Sequence, residues 1–134
     1  MSRRPWAKGW LPLVTAAAQA LPRARGRPAR AAAFQDVDGA AHCGVSIQIP
    51  ALPAASLCAE QVAVTAMCAA GARAAIRIVA ISRNNPGPPC GRCLQLLLEF
   101  GDEVEIRWGS PQQEWGRSTL EHLLPMAFRD FRGP

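Results

Sequence analysis

Three consecutive stretches decide the fold: Cys58-Ala59-Glu60-Gln61-Val62-Ala63-Val64-Thr65-Ala66-Met67-Cys68-Ala69-Ala70, then Ile76-Arg77-Ile78-Val79-Ala80-Ile81, then Pro89-Cys90-Gly91-Arg92-Cys93-Leu94-Gln95-Leu96-Leu97-Leu98-Glu99-Phe100. From Leu57 to Ala70 the chain is rich in Ala, has no Gly or Pro, and is closed by Gly71, which predicts a helix. The β-branched run Ile76–Ile81 is too apolar for an exposed edge and predicts a central strand. Asn84–Pro89 reads as a loop, Gly91–Phe100 as a second buried helix, and Glu103–Trp108 as a further strand. Strand and helix therefore alternate, which points to an α/β sheet covered by helices on both faces and parallel pairing where a helix makes the crossover.

Working outward, Ala31-Ala32-Ala33-Phe34-Gln35 and Val45-Ser46-Ile47-Gln48-Ile49 flank the turn signal Asp38-Gly39, so they read as a hairpin. A surface helix is expected near Leu11–Leu21. At 134 residues the chain is long enough for one domain with a substantial core and too short for two. Residues 1–134 are expected to form that single domain, with 1–30 as a basic N-terminal helix or arm and 31–128 as the core. Fifteen Lys and Arg face ten Asp and Glu, and the excess belongs to the first thirty residues. A solvated Arg-rich segment is the ordinary reading of such an arm, so nucleic acid is a possible partner but not a favoured one. No stretch has the roughly twenty apolar residues that a membrane span needs. The five cysteines are odd in number and form no disulfide framework, which favours a reducing, cytoplasmic setting. The twin-arginine-like start Ser2-Arg3-Arg4-Pro5-Trp6 keeps export as a minor alternative.

Cys58-Ala59-Glu60 opens one predicted helix and Cys90-Gly91-Arg92-Cys93 opens the next. Unpaired N–H groups and the macrodipole at a helix start favour thiolates. Cys90 and Cys93 can grip one ion from a single turn while Cys58 supplies a third ligand, leaving a fourth tetrahedral position for water, the catalytic pattern for Zn²⁺. Glu60, two residues past a ligand, can reach that water without ligating and move its protons. A structural zinc, or cysteines packed as core residues, is the competing reading of the thiols. His42 and His122 lack ligand spacing, and Cys68 reads as a small core residue.

These motifs resemble the cytidine deaminase family, of the short type with three cysteine ligands, over about Ala31–Phe128. The resemblance implies a three-layer α/β/α fold with a mixed sheet of about five strands. It implies a zinc-dependent hydrolase that converts cytidine, deoxycytidine or a modified relative to the uracil form with release of ammonia, Glu60 serving N3 and the leaving amine. It further implies pyrimidine salvage and a homotetramer, or a dimer, whose pockets are completed by neighbouring subunits. Leu123-Leu124-Pro125-Met126-Ala127-Phe128 is similar to the family's L-L-P-x-x-F, which makes Phe128 a stacking residue for a neighbour's pocket. Ala59, inside C-A-E, joins the substrate-binding set.

Three departures stand out, two that bear on the substrate and one that bears on the metal. The family's G-C-N-V-E-N corresponds to Gly44-Val45-Ser46-Ile47-Gln48-Ile49, so Ser46 and Gln48 replace the ribose-binding Asn and Glu, with one extra residue before Cys58. The F-x-V-G-A-A strand falls on Pro28–Ala33 and lacks its Phe. Gln61 stands where three-cysteine members carry an Arg against the sulfurs, a charge that Arg92 or Arg83 could supply. Two alternatives follow: deamination of a cytosine nucleoside antibiotic of the blasticidin S type, which shares C-A-E and P-C-G-R-C, or a basic nucleic-acid-binding protein with a structural zinc.

Overall fold

The β-branched run forms strand Ala75–Ile81, paired on one side with antiparallel Ala31–Asp36 and on the other with parallel Glu105–Gly109, so it is central as expected. The structure is a computed structural model that describes residues 3–129 apart from 85 and 102. Ser2 of the twin-arginine-like stretch and Asn85 of the expected loop lie outside the described residues. In chain order the elements are β1 (Arg4–Pro5), α1 (Leu11–Ala20), β2 (Ala31–Asp36), β3 (Ala41–Val45), α2 (Ala59–Ala69), β4 (Ala75–Ile81), α3 (Gly91–Leu97), β5 (Glu105–Gly109), β6 (Gln113–Thr119) and the single turn α4 (Leu120–Leu123). They build one mixed sheet in the order β1-β6-β5-β4-β2-β3. The crossover through α3 makes β4 and β5 a parallel pair.

Alternation along β2 and β4 sorts their side chains into two layers. Ala31, Ala33, Val79 and Ile81 pack under α1, against Trp10, Leu13, Val14 and Ala17. Ala32, Phe34, Ile78 and Ala80 pack under α2 and α3, against Ala63, Val64, Met67, Leu94 and Leu97. This is the expected arrangement of helices on both faces. The helix in the basic segment does not stand off as an arm. Its apolar stripe closes one face of the sheet, and Trp10 lies under the guanidiniums of Arg107 and Arg77, 4.3 and 5.2 Å from the ring centre.

Six strands form where about five are expected. β6 reads as polar, but its Glu114 is fully buried and paired with Arg107 of β5, Arg4 of β1 and Arg117, an ionic cluster that fastens this edge. The hairpin's second strand is Ala41–Val45, not Val45–Ile49. The turn is tighter than expected, because Asp36 accepts from the N–H groups of Asp38 and Ala40 and so restarts pairing at Ala41. Beyond it, Ile47 makes only isolated bridges to Arg25 and Leu57. No described helix is long and apolar enough to cross a membrane.

Gly44 sets the spacing between β3 and α2. A Cβ there would meet the backbone of Ala59 and Ala63 and the Val62 carbonyl carbon, the last at 2.8 Å. The helix therefore rests backbone to backbone on the strand, which places its N-terminus at the end of the sheet where β4 finishes and β2 begins.

Candidate metal centre and active site

Cys58 is the N-cap of α2 and Cys90 the N-cap of α3, both in extended backbone, with Cys93 in the first turn of α3. Around Cys58 a capping box forms: its sulfur accepts from the Gln61 N–H, and the Gln61 side chain accepts from the Cys58 N–H at 2.8 Å. The sulfurs of Cys58, Cys90 and Cys93 all lie within 4.8 Å of one another. Three sulfurs bound tetrahedrally at the zinc–thiolate distance would stand ~3.8 Å apart, so a small closing rotation suffices. Cys93 is buried, Cys58 half-buried and Cys90 exposed. Among the described residues, no His, Asp or Glu joins this group. The donor set fits a borderline-soft dication with one position left for water.

The electrostatics favour the same occupant. Burial raises the Cys90 thiol, but hydrogen bonds from the Cys93 N–H and from the neighbouring sulfurs outweigh it and bring the group below its ordinary value. Burial, followed by the charge of Glu60, pushes the Cys93 thiol far up. A bound dication would offset the burial and the neighbouring charge that disfavour the Cys93 thiolate. Arg92 is the guanidinium that faces the sulfurs, with Nη2 3.9 Å from Cys58 Sγ and 3.1 Å from Gln61 Oε1. The hydrogen bond to Cys58 and the charge of its sulfur raise the pKa of Arg92. Of the two arginines considered from sequence, it is Arg92 that takes this place; Arg83 lines a different cavity.

Glu60, 2% exposed in the first turn of α2, is held by Arg30: Nε donates to its Oε1 at 2.6 Å, while Nη2 donates to the Gly87 carbonyl at 2.7 Å. The Arg30 backbone is fixed in turn, its N–H donating to Ser46 Oγ at 2.9 Å and its carbonyl accepting from the Ser46 N–H at 2.9 Å. Ser46 is thus buried with its hydroxyl engaged by main-chain groups, one bond removed from the pair Arg30–Glu60. Gln48 is half-buried with its Cβ over Gly26, and Ala59 is fully buried at the start of α2. Phe128 is 78% exposed, its main chain tied to α3 by both polar atoms of Gln95.

Sequence reasoning missed Arg30, which it counted among the solvated charges of the basic segment. The available signal was parity: Arg30 is two residues before Ala32, whose side chain faces α2, so an arginine there points toward the same helix.

No family model matches the chain. It is 32% identical over 98 residues to a protein described as cytidine deaminase 7 of Arabidopsis thaliana, a match spanning 67% of this chain and 32% of that protein. The chain thus corresponds to about a third of the length of this curated relative. A solved structure of a glutamate-to-glutamine variant of cytidine deaminase from Mycobacterium tuberculosis is 30% identical, with TM-score 0.77 over 90% of this chain and 98% of that one. The structure of cytidine deaminase from Burkholderia pseudomallei is 26% identical, with TM-score 0.79 over 92% of this chain and all of that one.

Proposed function

The chain belongs to the cytidine deaminase family, and from that premise we propose that it catalyses hydrolytic deamination of cytidine, deoxycytidine or a modified cytosine nucleoside to the uracil form with release of ammonia. The observation that carries this reading is a trio of sulfurs, Cys58, Cys90 and Cys93, beside a buried carboxylate, Glu60, that stands outside the ligand group. A divalent ion held there, Zn²⁺ by the chemistry of its donors, supplies Lewis-acid activation of a water. Glu60 carries the protons: its carboxylate accepts one from the attacking water and delivers it to ring N3, then takes the remaining proton from the new C4 hydroxyl and delivers it to the amino nitrogen, so that the C4–N bond breaks, ammonia leaves and C4 becomes a carbonyl. Arg30 keeps that carboxylate pointed into the site rather than toward bulk water.

In this reading Ala59 borders the base, Ser46 acts through the Arg30 backbone, and Gln48 faces the sugar. Phe128 serves a neighbouring subunit, a role supported by the exposure of Phe128 and Met126 on a segment anchored to α3. A homotetramer, pyrimidine salvage and a cytoplasmic location complete the proposal, with residues 1–134 acting as one domain.

The test is ammonia release by the metal-loaded protein from cytidine, deoxycytidine, free cytosine, N4-modified cytidines, blasticidin S and a cytosine-containing single strand, with Glu60→Ala as the control. Expected is turnover of at least one nucleoside, lost by ~10²-fold or more in Glu60→Ala with its metal retained. Full turnover by a metal-loaded Glu60→Ala protein would refute the mechanism. Salt-sensitive nucleic-acid binding without any turnover would favour the binding-protein alternative.

A further inference from the structure

Glu60 has two carboxylate oxygens, and their surroundings differ. Oε1 takes the Arg30 Nε–H at 2.6 Å, a short charge-assisted bond, whereas Oε2 accepts no hydrogen bond among the described residues. Little water reaches the pair, since the Arg30 side chain is 16% exposed and that of Glu60 3%. The charge of Glu60 is felt at the Cys93 thiol, so the carboxylate stands beside the sulfur trio.

The same guanidinium reaches a second segment, its Nη2 donating to the Gly87 carbonyl at 2.7 Å. From there the chain runs Gly87-Pro88-Pro89-Cys90, and two consecutive prolines with fixed φ make the connection stiff. Cys90 then caps α3, with Cys93 in its first turn. One planar fork therefore spans the helix that carries Glu60 and the segment that delivers two of the thiols. Arg92 and Gln61 make another tie between the two helix starts, but at the exposed rim.

Arg30 is itself held at its root. The β2–β3 ladder ends at Ala31 opposite Val45, and Arg30 with Ser46 extends it by one step. The Ser46 N–H donates to the Arg30 carbonyl and the Arg30 N–H to Ser46 Oγ, both at 2.9 Å. The arginine is thus fixed at its backbone and at the far end of its side chain. A carboxylate left alone turns readily about its terminal bond and exchanges its two oxygens. A guanidinium that grips one oxygen and a carbonyl of another segment prevents that exchange.

The geometry points to Arg30 as a positioning residue for the deamination: by holding Glu60 Oε1 and the Gly87 carbonyl at once, it leaves Oε2 as the oxygen that carries protons and fixes its place relative to Cys90 and Cys93. This rests on the deaminase reading above and deepens it, from a carboxylate that is held to a carboxylate with one working oxygen. Proton transfer requires that oxygen within hydrogen-bond reach of the proton it takes, so its placement is felt in the chemical step rather than in substrate binding.

The experiment compares kcat and KM on the best nucleoside substrate in the metal-loaded parent, Arg30→Ala, Arg30→Lys and Ser46→Ala proteins, with the metal content of each measured. Expected is a kcat lowered by ~10²-fold in Arg30→Ala with KM little changed and the metal retained. Arg30→Lys should recover part of the loss, since an ammonium restores the charge but not the fork. Ser46→Ala should lose less, in kcat again. Added guanidinium ion, well below unfolding concentrations, should restore turnover to Arg30→Ala but not to Glu60→Ala, a response that lost packing would not give. Arg30→Lys and Ser46→Ala carry the same comparison if the alanine variant does not fold. Parent-like kcat in Arg30→Ala, a loss confined to KM, or a loss that neither lysine nor guanidinium relieves would overturn the role and leave the deaminase reading standing. Independently of turnover, nitrogen-15 NMR follows the Arg30 Nε–H, expected to exchange slowly with water in the metal-loaded parent and rapidly in Glu60→Ala. Rapid exchange in the parent would overturn the fork. No turnover by the parent, with a protected Arg30 Nε–H, would overturn the deaminase reading and leave the fork.

Discussion

Replacing Gly44 by alanine inserts a methyl group between β3 and α2, and no side-chain rotation can make room for it. The three atoms it meets all belong to the helix backbone, at Ala59, Val62 and Ala63. Carbon contacts settle at about 3.5–4.0 Å. With the Val62 carbonyl carbon at 2.8 Å and two atoms nearer still, the helix must retreat by about 1 Å. Overpacking of a close-packed interior costs about 1–3 kcal/mol, and a purely backbone clash belongs at the upper end. At about 4 °C per kcal/mol for a chain of this size, the midpoint of thermal unfolding should fall by about 12 °C. The chemistry should suffer more than the fold. Cys58 and Glu60 ride on α2 while Cys90, Cys93 and Arg30 do not, so the same retreat moves the carboxylate and one ligand relative to the rest. A misplacement of about 1 Å can cost ~10²-fold in rate. Circular dichroism melting and ammonia release, both on metal-loaded protein, read the two effects. A Gly44→Ala protein melting within about 2 °C of the parent and retaining its turnover would refute the close-packing argument.

Arg30→Ala leaves the buried Glu60 carboxylate without its guanidinium and should destabilise the protein by about 2 kcal/mol, a buried-pair loss discounted because Arg30 is partly solvated. In a double-mutant cycle with Glu60→Gln the pair should cost less than the sum of the single changes, and strict additivity of the unfolding free energies would contradict the coupling. The acid response of the hairpin has a defined sign. The hydrogen bond from His42 at 2.7 Å, aided by the N–H groups of Ala40 and Asp38, holds the Asp36 carboxyl below its ordinary value. A carboxyl depressed in the folded state contributes stability that is present above its unfolded pKa of about 3.9 and is lost as pH falls through the lower folded value. Asp36→Asn should therefore lower stability at neutral pH and flatten its decline below about pH 4, measured by urea unfolding across that range; an unchanged acid slope would contradict the assignment.

Much of the centre of the molecule was legible because local pattern and tertiary role coincide there. The Ala-rich run to Gly71, the β-branched run at Ile76–Ile81 and the leucines after Cys93 became α2, β4 and α3, since each buries a face that its own periodicity announces. Where burial is polar, the pattern was silent. β6 encloses Glu114 among arginines contributed by β1, β5 and its own strand, a cluster assembled by sheet neighbours that no local window contains. β3 was misplaced because Val45–Ile49 has the stronger local pattern, whereas the Asp36 turn and the Gly44 contact choose Ala41–Val45.

The sequence by itself determined the chemistry on offer: three thiols and a carboxylate at two helix starts, spaced by a helix and a strand. Short-range constraints suffice for that, because the first turn of a helix positions its own cap and its third residue. Which arginine faces what was decided only by the tertiary structure. Arg30 left the basic segment to hold Glu60, and Arg92 took the sulfurs. A guanidinium on its long side chain finds its partner across the fold, so its role depends on how segments distant in sequence are brought together.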